Sequence, residues 1–228
     1  MVGFGAGDGV MRQRVRLWMG AAICGLAALA PRTVSAQAPA DATPRIAGEA
    51  HQGARGVFKF LGGAALGLAA HESGHVTLDL ALGTDPYVKQ VDFRGMPFFA
   101  ITYRRDVSRR ETFAIASAGF WVQHGLSEWI LTRSPDVRLR HSPIAKGFLA
   151  FHVGSSLAYA GAAFAHAGPP ERDTRGMAWS LRVDERWVGV ALLVPAALDV
   201  YRYCHPRSPW ASWASRAAKL ALVLLVMR

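Results

Sequence analysis

Two histidines and a glutamate interrupt an apolar stretch of the chain, "GLAAHESGHVTLDLALG", which covers residues 67–83. His71 and His75 are four residues apart, so on a helix both imidazoles lie on one face and can bind the same metal ion. Glu72 lies next to that face, where its carboxylate can take a proton from an attacking water molecule. This HExxH spacing is typical of zinc hydrolases. It predicts a Zn²⁺ site with Glu72 as the general base.

The residues around this motif predict that it faces the interior of a helical bundle. Gly63 and Gly67 precede the histidines at intervals of four, and small residues of this kind let a second helix approach closely. Asp79 continues the same stripe, where its carboxylate is expected to orient His75 through a hydrogen bond. Polar side chains in an apolar stretch are costly to desolvate without a partner, and a metal ion would be that partner. The alternative is a structural pair of buried histidines bonded to backbone or water.

Apolar segments of membrane-spanning length dominate the rest of the chain. Of its 228 residues, 51% are hydrophobic, and the hydrophobic residues are clustered. A bilayer takes roughly 20 residues of helix, so we predict an all-α fold, a polytopic transmembrane helix bundle with four to five membrane segments. The β-branched and aromatic residues around Arg94-Gly95 predict a small β-hairpin after the first segment. The apolar segments are 57–83, 111–132, 146–168, 187–203 and 212–227, and residues 169–186 are expected to form a polar loop.

The N-terminal part of the chain is typical of an exported protein. Residues 1–36 contain a basic stretch, an apolar core and a small-residue cleavage site before Gln37, which together predict a signal peptide. The residues before Met11 fit no part of a signal, which makes Met11 an alternative start. Residues 37–56 are expected to be a polar linker outside the membrane, and residues 57–228 the membrane-embedded domain. We predict a multi-pass protein of a bacterial inner (cytoplasmic) membrane.

The charge and cysteine content narrow the range of partners. The net charge is +10, but the arginines flank apolar segments, as in "YRRDVSRRE" and "DVRLRH". This placement is typical of residues at a membrane surface and argues against nucleic acid as a partner. Cys24 lies in the signal segment, so Cys204 alone remains and no disulfide framework is expected. The expected partner is the lipid bilayer.

A catalytic zinc site usually has a third protein ligand. Asp199, in "LLVPAALDVYRY", is a carboxylate near the end of a proline-containing apolar segment, where it is not expected to face lipid unpaired. The candidates inside apolar segments are His124, Glu128, His152, His166 and Asp199.

Three stretches of the chain resemble the site-2 proteases, membrane-embedded zinc metallopeptidases that cut transmembrane segments. "AAHESGHVTLDLALG" resembles the HExxH helix of that family, and "RRETFAIASAGFWVQ" is similar to its central segment, which ends in an AGPxxN-like sequence. "VPAALDV" is similar to its LDG motif. The resemblance covers about residues 57–203. It implies a zinc endopeptidase that hydrolyses peptide bonds in or near transmembrane segments of a membrane protein substrate.

The resemblance also implies roles for two further residues. Asp199 would be the third zinc ligand, and Gln123, at the position of the family's asparagine, would hold an unwound substrate strand. A plain hydrogen bond between helices is the alternative role of Gln123. Phe120 and Val200 replace a proline and a glycine of the family's motifs, and the apolar segment 146–168 is additional.

Two other functions fit part of the sequence. A non-catalytic membrane protein derived from the same family would explain the altered motifs, although the intact His71, Glu72 and His75 argue against lost activity. A di-iron lipid hydroxylase or desaturase would also use a pair of histidines four residues apart. Such enzymes need an HxxHH box, and none of the eight histidines of this chain forms one.

Overall fold

The computed structural model describes residues 46–93 and 96–224, which form six helices and one two-stranded sheet. This part of the chain confirms a mostly helical fold with a small β-hairpin after the first helix. The predicted signal peptide and residues 37–45 lie outside the described residues. The elements are α1 (Ile46–Leu82), β1 (Pro86–Phe93), β2 (Met96–Tyr103), α2 (Arg109–Arg133), α3 (Pro143–Ala165), α4 (Asp173–Leu181), α5 (Glu185–Cys204) and α6 (Pro209–Leu224).

Local capping signals set the starts of the helices. α2 begins at a capping box, in which the Ser108 side chain accepts from the Glu111 N–H and the Glu111 carboxylate accepts from the Ser108 N–H. Pro143 opens α3, where its missing N–H is not needed. The Asp184 side chain caps α5 by accepting the N–H of Arg186. The helices therefore start two or three residues before the apolar segments, because these capping residues and prolines lie outside the apolar runs.

Two stretches differ from the sequence prediction. α1 begins at Ile46, so residues 46–56 of the predicted linker are helical. The predicted loop 169–186 contains α4, a short helix with Asp173 in its first turn. Hydropathy identifies only apolar helices, and both of these stretches are helices of mixed polarity.

The β-hairpin predicted around residues 94–95 lies between α1 and α2. β1 pairs antiparallel with β2, in a register that runs from Pro86 opposite Tyr103 to Phe93 opposite Met96. Just outside the paired strands, between the residue Thr84 before β1 and the residue Arg105 after β2, the carbonyl of Thr84 accepts the N–H of Arg105 at 3.3 Å. The hairpin is thus joined to the end of α1.

The long helices alternate in direction. α1 and α3 run the same way, because Gly63 packs against Ile144 and Gly67 against Phe151. α2 and α5 run the opposite way, and α6 runs with α1 and α3. One end of the bundle, called here the hairpin end, carries the hairpin and α4. The other, called the far end, carries the α2–α3 and α5–α6 connections.

Small residues bring the helices around α1 close together. A Cβ at Gly63 would collide with the Ile144 carbonyl oxygen, and a Cβ at Gly147 with that of Phe60. His71, His75 and Asp79 are all buried. The stripe predicted to face the interior therefore does so.

The bundle buries both apolar and polar side chains, and many apolar side chains lie on its surface. One buried apolar cluster contains side chains of α1, α2, α4, α5 and α6, and a second lies between α2 and α3. Buried polar and charged groups fill other parts of the space between the helices. Among the described helices, α3 and α5 are long and apolar enough to cross a membrane. Exposed tryptophans occur towards both ends of the bundle: Trp179 and Trp187 at the hairpin end, and Trp129, Trp210 and Trp213 at the far end.

Candidate metal centre

Three side chains from α1 and α4 converge on one point. The Nε2 atoms of His71 and His75 are 3.2 Å apart. The Oδ2 atom of Asp173 lies 3.2 Å from the first and 3.4 Å from the second. A tetrahedral zinc ion with ligands at 2.0–2.1 Å holds neighbouring ligand atoms about 3.3 Å apart. Among the described residues, this group alone has the composition and spacing to hold a metal ion, and its three members are one fewer than the four ligands of tetrahedral zinc.

Hydrogen bonds to the opposite ring nitrogens leave both Nε2 atoms free. His75 Nδ1 donates to the carbonyl oxygen of Ile115 at 2.8 Å. His71 Nδ1 donates to Oε1 of Gln123 at 3.1 Å. Because each Nδ1 carries a proton, each Nε2 presents a lone pair whenever its ring is neutral. In that state two lone pairs and a carboxylate at these distances repel one another, and either a proton on a ring or a metal ion between the three atoms removes the repulsion.

A single carboxylate binds the side chains of both residues that flank Asp173. Glu185, in the first turn of α5, accepts from Arg172 at 2.7 and 2.6 Å and from Thr174 at 2.5 Å. Asp173 itself is the first residue of α4, where the helix dipole favours a negative charge. Burial alone would raise the pKa of Asp173, but in the metal-free group the interactions with His75 and His71, when these rings are protonated, outweigh it and hold that pKa well below its usual range. The third ligand is therefore fixed in place and ionised.

Glu72 and Tyr159 are neighbours of this group. Glu72 is partly buried and interacts electrostatically with both histidines and with Asp173. Tyr159 of α3 stacks on the His71 ring, with the ring centroids 5.9 Å apart, and also interacts with Asp173. Glu72 is thus a candidate for proton exchange at the centre, and Tyr159 packs against the His71 ligand.

Gly119 of α2 faces the two imidazoles directly. A Cβ at this position would lie 2.6 Å from Nε2 of His75 and 2.7 Å from Nε2 of His71. No side chain fits there without moving a ring. The small residues Ala118 and Gly119 therefore allow α2 to pack closely against the HExxH motif.

Replacing Gly119 by alanine is expected to displace at least one imidazole and to lower zinc affinity by at least about tenfold, the lower limit for changes around metal ligands. The matched control is Gly125→Ala in the same helix, because a Cβ there meets no atom within 4 Å. Competition with a zinc chelator measures both variants. Equal zinc affinities for Gly119→Ala and the wild type would contradict this prediction, because they would show that a methyl group fits beside the two imidazoles.

Asp199, predicted as the third ligand, lies in a different part of the interior. Its Oδ1 accepts from Ser215 at 2.6 Å and Lys219 at 2.8 Å, and its Oδ2 from Ser127 at 2.9 Å and His152 at 3.1 Å. A carboxylate has about four lone-pair sites, so these four donors occupy all of them and leave none for a metal ion. The prediction of Asp199 as a zinc ligand is therefore corrected. The reason is the additional segment, since α3 packs against both α1 and α5.

Gln123, predicted to hold the substrate, is fully buried and bonded at both ends of its amide. Its Oε1 accepts from His71, and its Nε2 lies 3.0 Å from Nδ1 and 3.1 Å from the carbonyl oxygen of His152. Ser156 Oγ is a third neighbour of Nε2, at 3.3 Å. The amide has no group free for a substrate strand. The structure thus corrects the substrate-binding prediction and matches the alternative of a hydrogen bond between helices.

Asp79, predicted to orient His75, is bonded elsewhere. It accepts the hydroxyl proton of Thr84 at 2.5 Å. The Nδ1 of His75 points towards α2 and is already used by Ile115. The prediction is corrected, because a backbone carbonyl of the neighbouring helix reaches the ring.

The other candidates for the third ligand also lie away from the centre. Glu128 is ion-paired with cations of α5 and α6. His152 bonds to Gln123 and Asp199, and His166 forms an exposed ion pair. His124 is buried, and neither ring nitrogen has a partner within the described part of the chain.

The sequence reasoning missed Asp173 because it searched only the apolar segments. The stretch "GPPERDTRGMAWSL" does carry a helix-start signal, with two prolines followed by acidic residues. That signal identifies α4 and its acidic first turn. It does not predict that α4 contacts His71, which lies 102 residues earlier in the chain.

Comparisons with protein-family models, curated proteins and solved structures found no match to this chain. The fold and the site define a helical protein in which an HExxH motif and an aspartate form a group suited to one metal ion.

Proposed function

We propose that this chain is an intramembrane zinc metalloprotease, which hydrolyses peptide bonds in or near transmembrane segments of membrane proteins. The observation that carries the proposal is the set of tetrahedral distances among His71, His75 and Asp173, with the Glu72 carboxylate close enough to interact with all three. A single metal group in the described residues favours a mononuclear hydrolase over a di-iron hydroxylase.

The chain's own residues perform most of the proposed steps. Zinc, when bound, would supply a Lewis acid that polarises the scissile carbonyl and lowers the pKa of water. Glu72 takes the proton of the attacking water and passes it to the amine that leaves. Glu185 binds the side chains of Arg172 and Thr174 on either side of Asp173, which keeps the Asp173 carboxylate at the metal position. Gly119 keeps the side of the centre next to α2 free of side chains.

The surface of the bundle supports a membrane setting. Phe58, Leu66 and Leu80 of α1 are 76%, 58% and 64% exposed, which is unfavourable in water and favourable in lipid. The exposed tryptophans at the two ends have the arrangement of the aromatic belts at membrane interfaces. We therefore favour a multi-pass protein of a bacterial inner membrane, with the bilayer around α1, α3 and α5.

The depth of the site supports a substrate inside or beside the membrane. His71 precedes Leu82, the end of α1, by eleven residues, or about 16 Å of helix. Asp173 reaches the same point from α4 at the hairpin end. A peptide bond must enter the bundle to this depth to meet Glu72, and an unwound transmembrane segment can do so.

The test measures metal content and peptide hydrolysis in detergent-purified wild-type protein that has not been exposed to a chelator. We expect about one zinc per chain. We also expect cleavage of transmembrane peptides in proteoliposomes, lost with phenanthroline and restored by zinc. Folded protein without bound metal would contradict the proposal, and so would cleavage that the chelator does not inhibit. Iron at about two per chain would favour the hydroxylase instead.

A further inference from the structure

A line of buried hydrogen bonds leads from the metal centre across four helices. His71 of α1 bonds to Gln123 of α2 at 3.1 Å, and Gln123 bonds to His152 of α3 at 3.0 Å. His152 then bonds to Asp199 of α5 at 3.1 Å. All four side chains are at most 2% exposed. The line therefore runs through the interior without contact with solvent.

The direction of each bond follows from a single backbone carbonyl. The carbonyl oxygen of His152 can only accept, so the atom of Gln123 that lies 3.1 Å from it must be the amide nitrogen. The amide oxygen then faces His71, whose Nδ1 must donate. His152 Nδ1 accepts from the amide, so the proton of the neutral His152 ring is on Nε2 and goes to Asp199. Every group thus donates towards Asp199.

Asp199 is suited to end this line because its negative charge is stabilised. Lys219 donates to it at 2.8 Å and Ser215 at 2.6 Å. Two buried carboxylates, Asp199 and Glu128, are balanced by two buried cations, Lys219 and Arg202. Burial of single charges would be costly, whereas this cluster is paired and hydrogen-bonded. The cluster therefore maintains an ionised acceptor inside the bundle.

We propose that Gln123, held by the backbone carbonyl of His152 and by the His152 ring that Asp199 orients, sets the tautomer and orientation of His71, so that Nε2 of His71 is free to bind the metal ion. Asp199 and Gln123 are then positioning residues. The inference rests on the proposed metal-dependent function. A reversed Gln123 amide would face the carbonyl of His152 with its oxygen and the Nδ1–H of His71 with its nitrogen, so the line admits one arrangement only.

The test replaces the amide and measures the metal site directly. Gln123→Met has a similar length and removes the acceptor for His71. We expect its zinc affinity to fall about ten- to a hundredfold and the visible spectrum of the Co²⁺-loaded protein to change. Gln123→Glu keeps an acceptor for His71 and, in its protonated form, a donor for His152, so it should recover most of the affinity. Ser117→Ala is the control, because Ser117 is equally buried on α2 but bonds only to the backbone of its own helix.

Two further measurements separate this inference from the proposed function. Nitrogen-15 shifts of the metal-free wild type should place the His71 proton on Nδ1, and Gln123→Met should move it. Asp199→Asn tests the line from its other end and should lower zinc affinity by about tenfold. A wild type without zinc whose His71 tautomer depends on Gln123 would reject the metalloprotease and support the positioning line. Folded Gln123→Met with wild-type zinc affinity, cobalt spectrum and tautomer would overturn the inference.

Discussion

Replacement of Asp173 by alanine is expected to lower the zinc affinity of the protein by more than about a hundredfold. Changes to groups that only support a ligand cost ten- to a hundredfold, so the loss of a ligand should exceed that range. With Asp173 removed, the two Nε2 atoms at 3.2 Å remain as the protein ligands. The measurement is zinc content after dialysis, followed by chelator competition.

The control for Asp173→Ala is Glu171→Ala. Glu171 lies in the same segment and pairs with Lys89 of β1 at 2.6 Å, away from the histidines. The Glu171→Ala substitution removes a carboxylate that is not a metal ligand, so zinc affinity should stay at the wild-type value. A greater loss from Asp199→Ala than from Asp173→Ala would contradict the geometry and favour the ligand set that the family resemblance implies.

Replacement of Glu72 by glutamine is expected to abolish most hydrolysis while the protein keeps its zinc. Glutamine has nearly the same shape but cannot accept the proton of the attacking water, and general-base catalysis contributes about 10²–10⁴-fold. Glu72 is not among the three residues that surround the metal position. Zinc content and the rate of peptide cleavage, measured on the same preparation, test both parts of the expectation.

The control for Glu72→Gln is Ser73→Ala. Ser73 is exposed, follows Glu72 on α1 and bonds only to the backbone of its own helix, at Ala70. Its replacement should change neither zinc content nor rate. Unchanged cleavage by Glu72→Gln would remove Glu72 from the mechanism. Zinc-loaded wild type without any cleavage would instead favour the non-catalytic relative.

The buried polar groups of this bundle have two different tasks in the scheme proposed here. His71, His75 and Asp173 would hold the metal, and they lie towards the hairpin end, from which α4 supplies the aspartate. Asp199 and its cationic partners lie deeper in the bundle and act on the centre only through a neutral amide and an imidazole. This separation keeps a strong positive charge, Lys219, away from the metal position.

Local sequence pattern was enough to predict the features that depend on neighbours along the chain. The spacing of His71 and His75 places both on one helical face whatever else packs around them. The glycines before them predict close helix packing, and the residues around 94–95 predict a hairpin. Each of these depends on periodicity or turn chemistry within about twenty residues.

Tertiary structure alone decided the partners of these residues. α3 lies against both α1 and α5, so Asp199 meets His152 rather than the histidine pair. A polar segment then supplies Asp173, across 102 residues of sequence. The same packing turns Gln123 towards His71 instead of a substrate. A ligand set depends on which helices become neighbours, and periodicity within one helix does not contain that information.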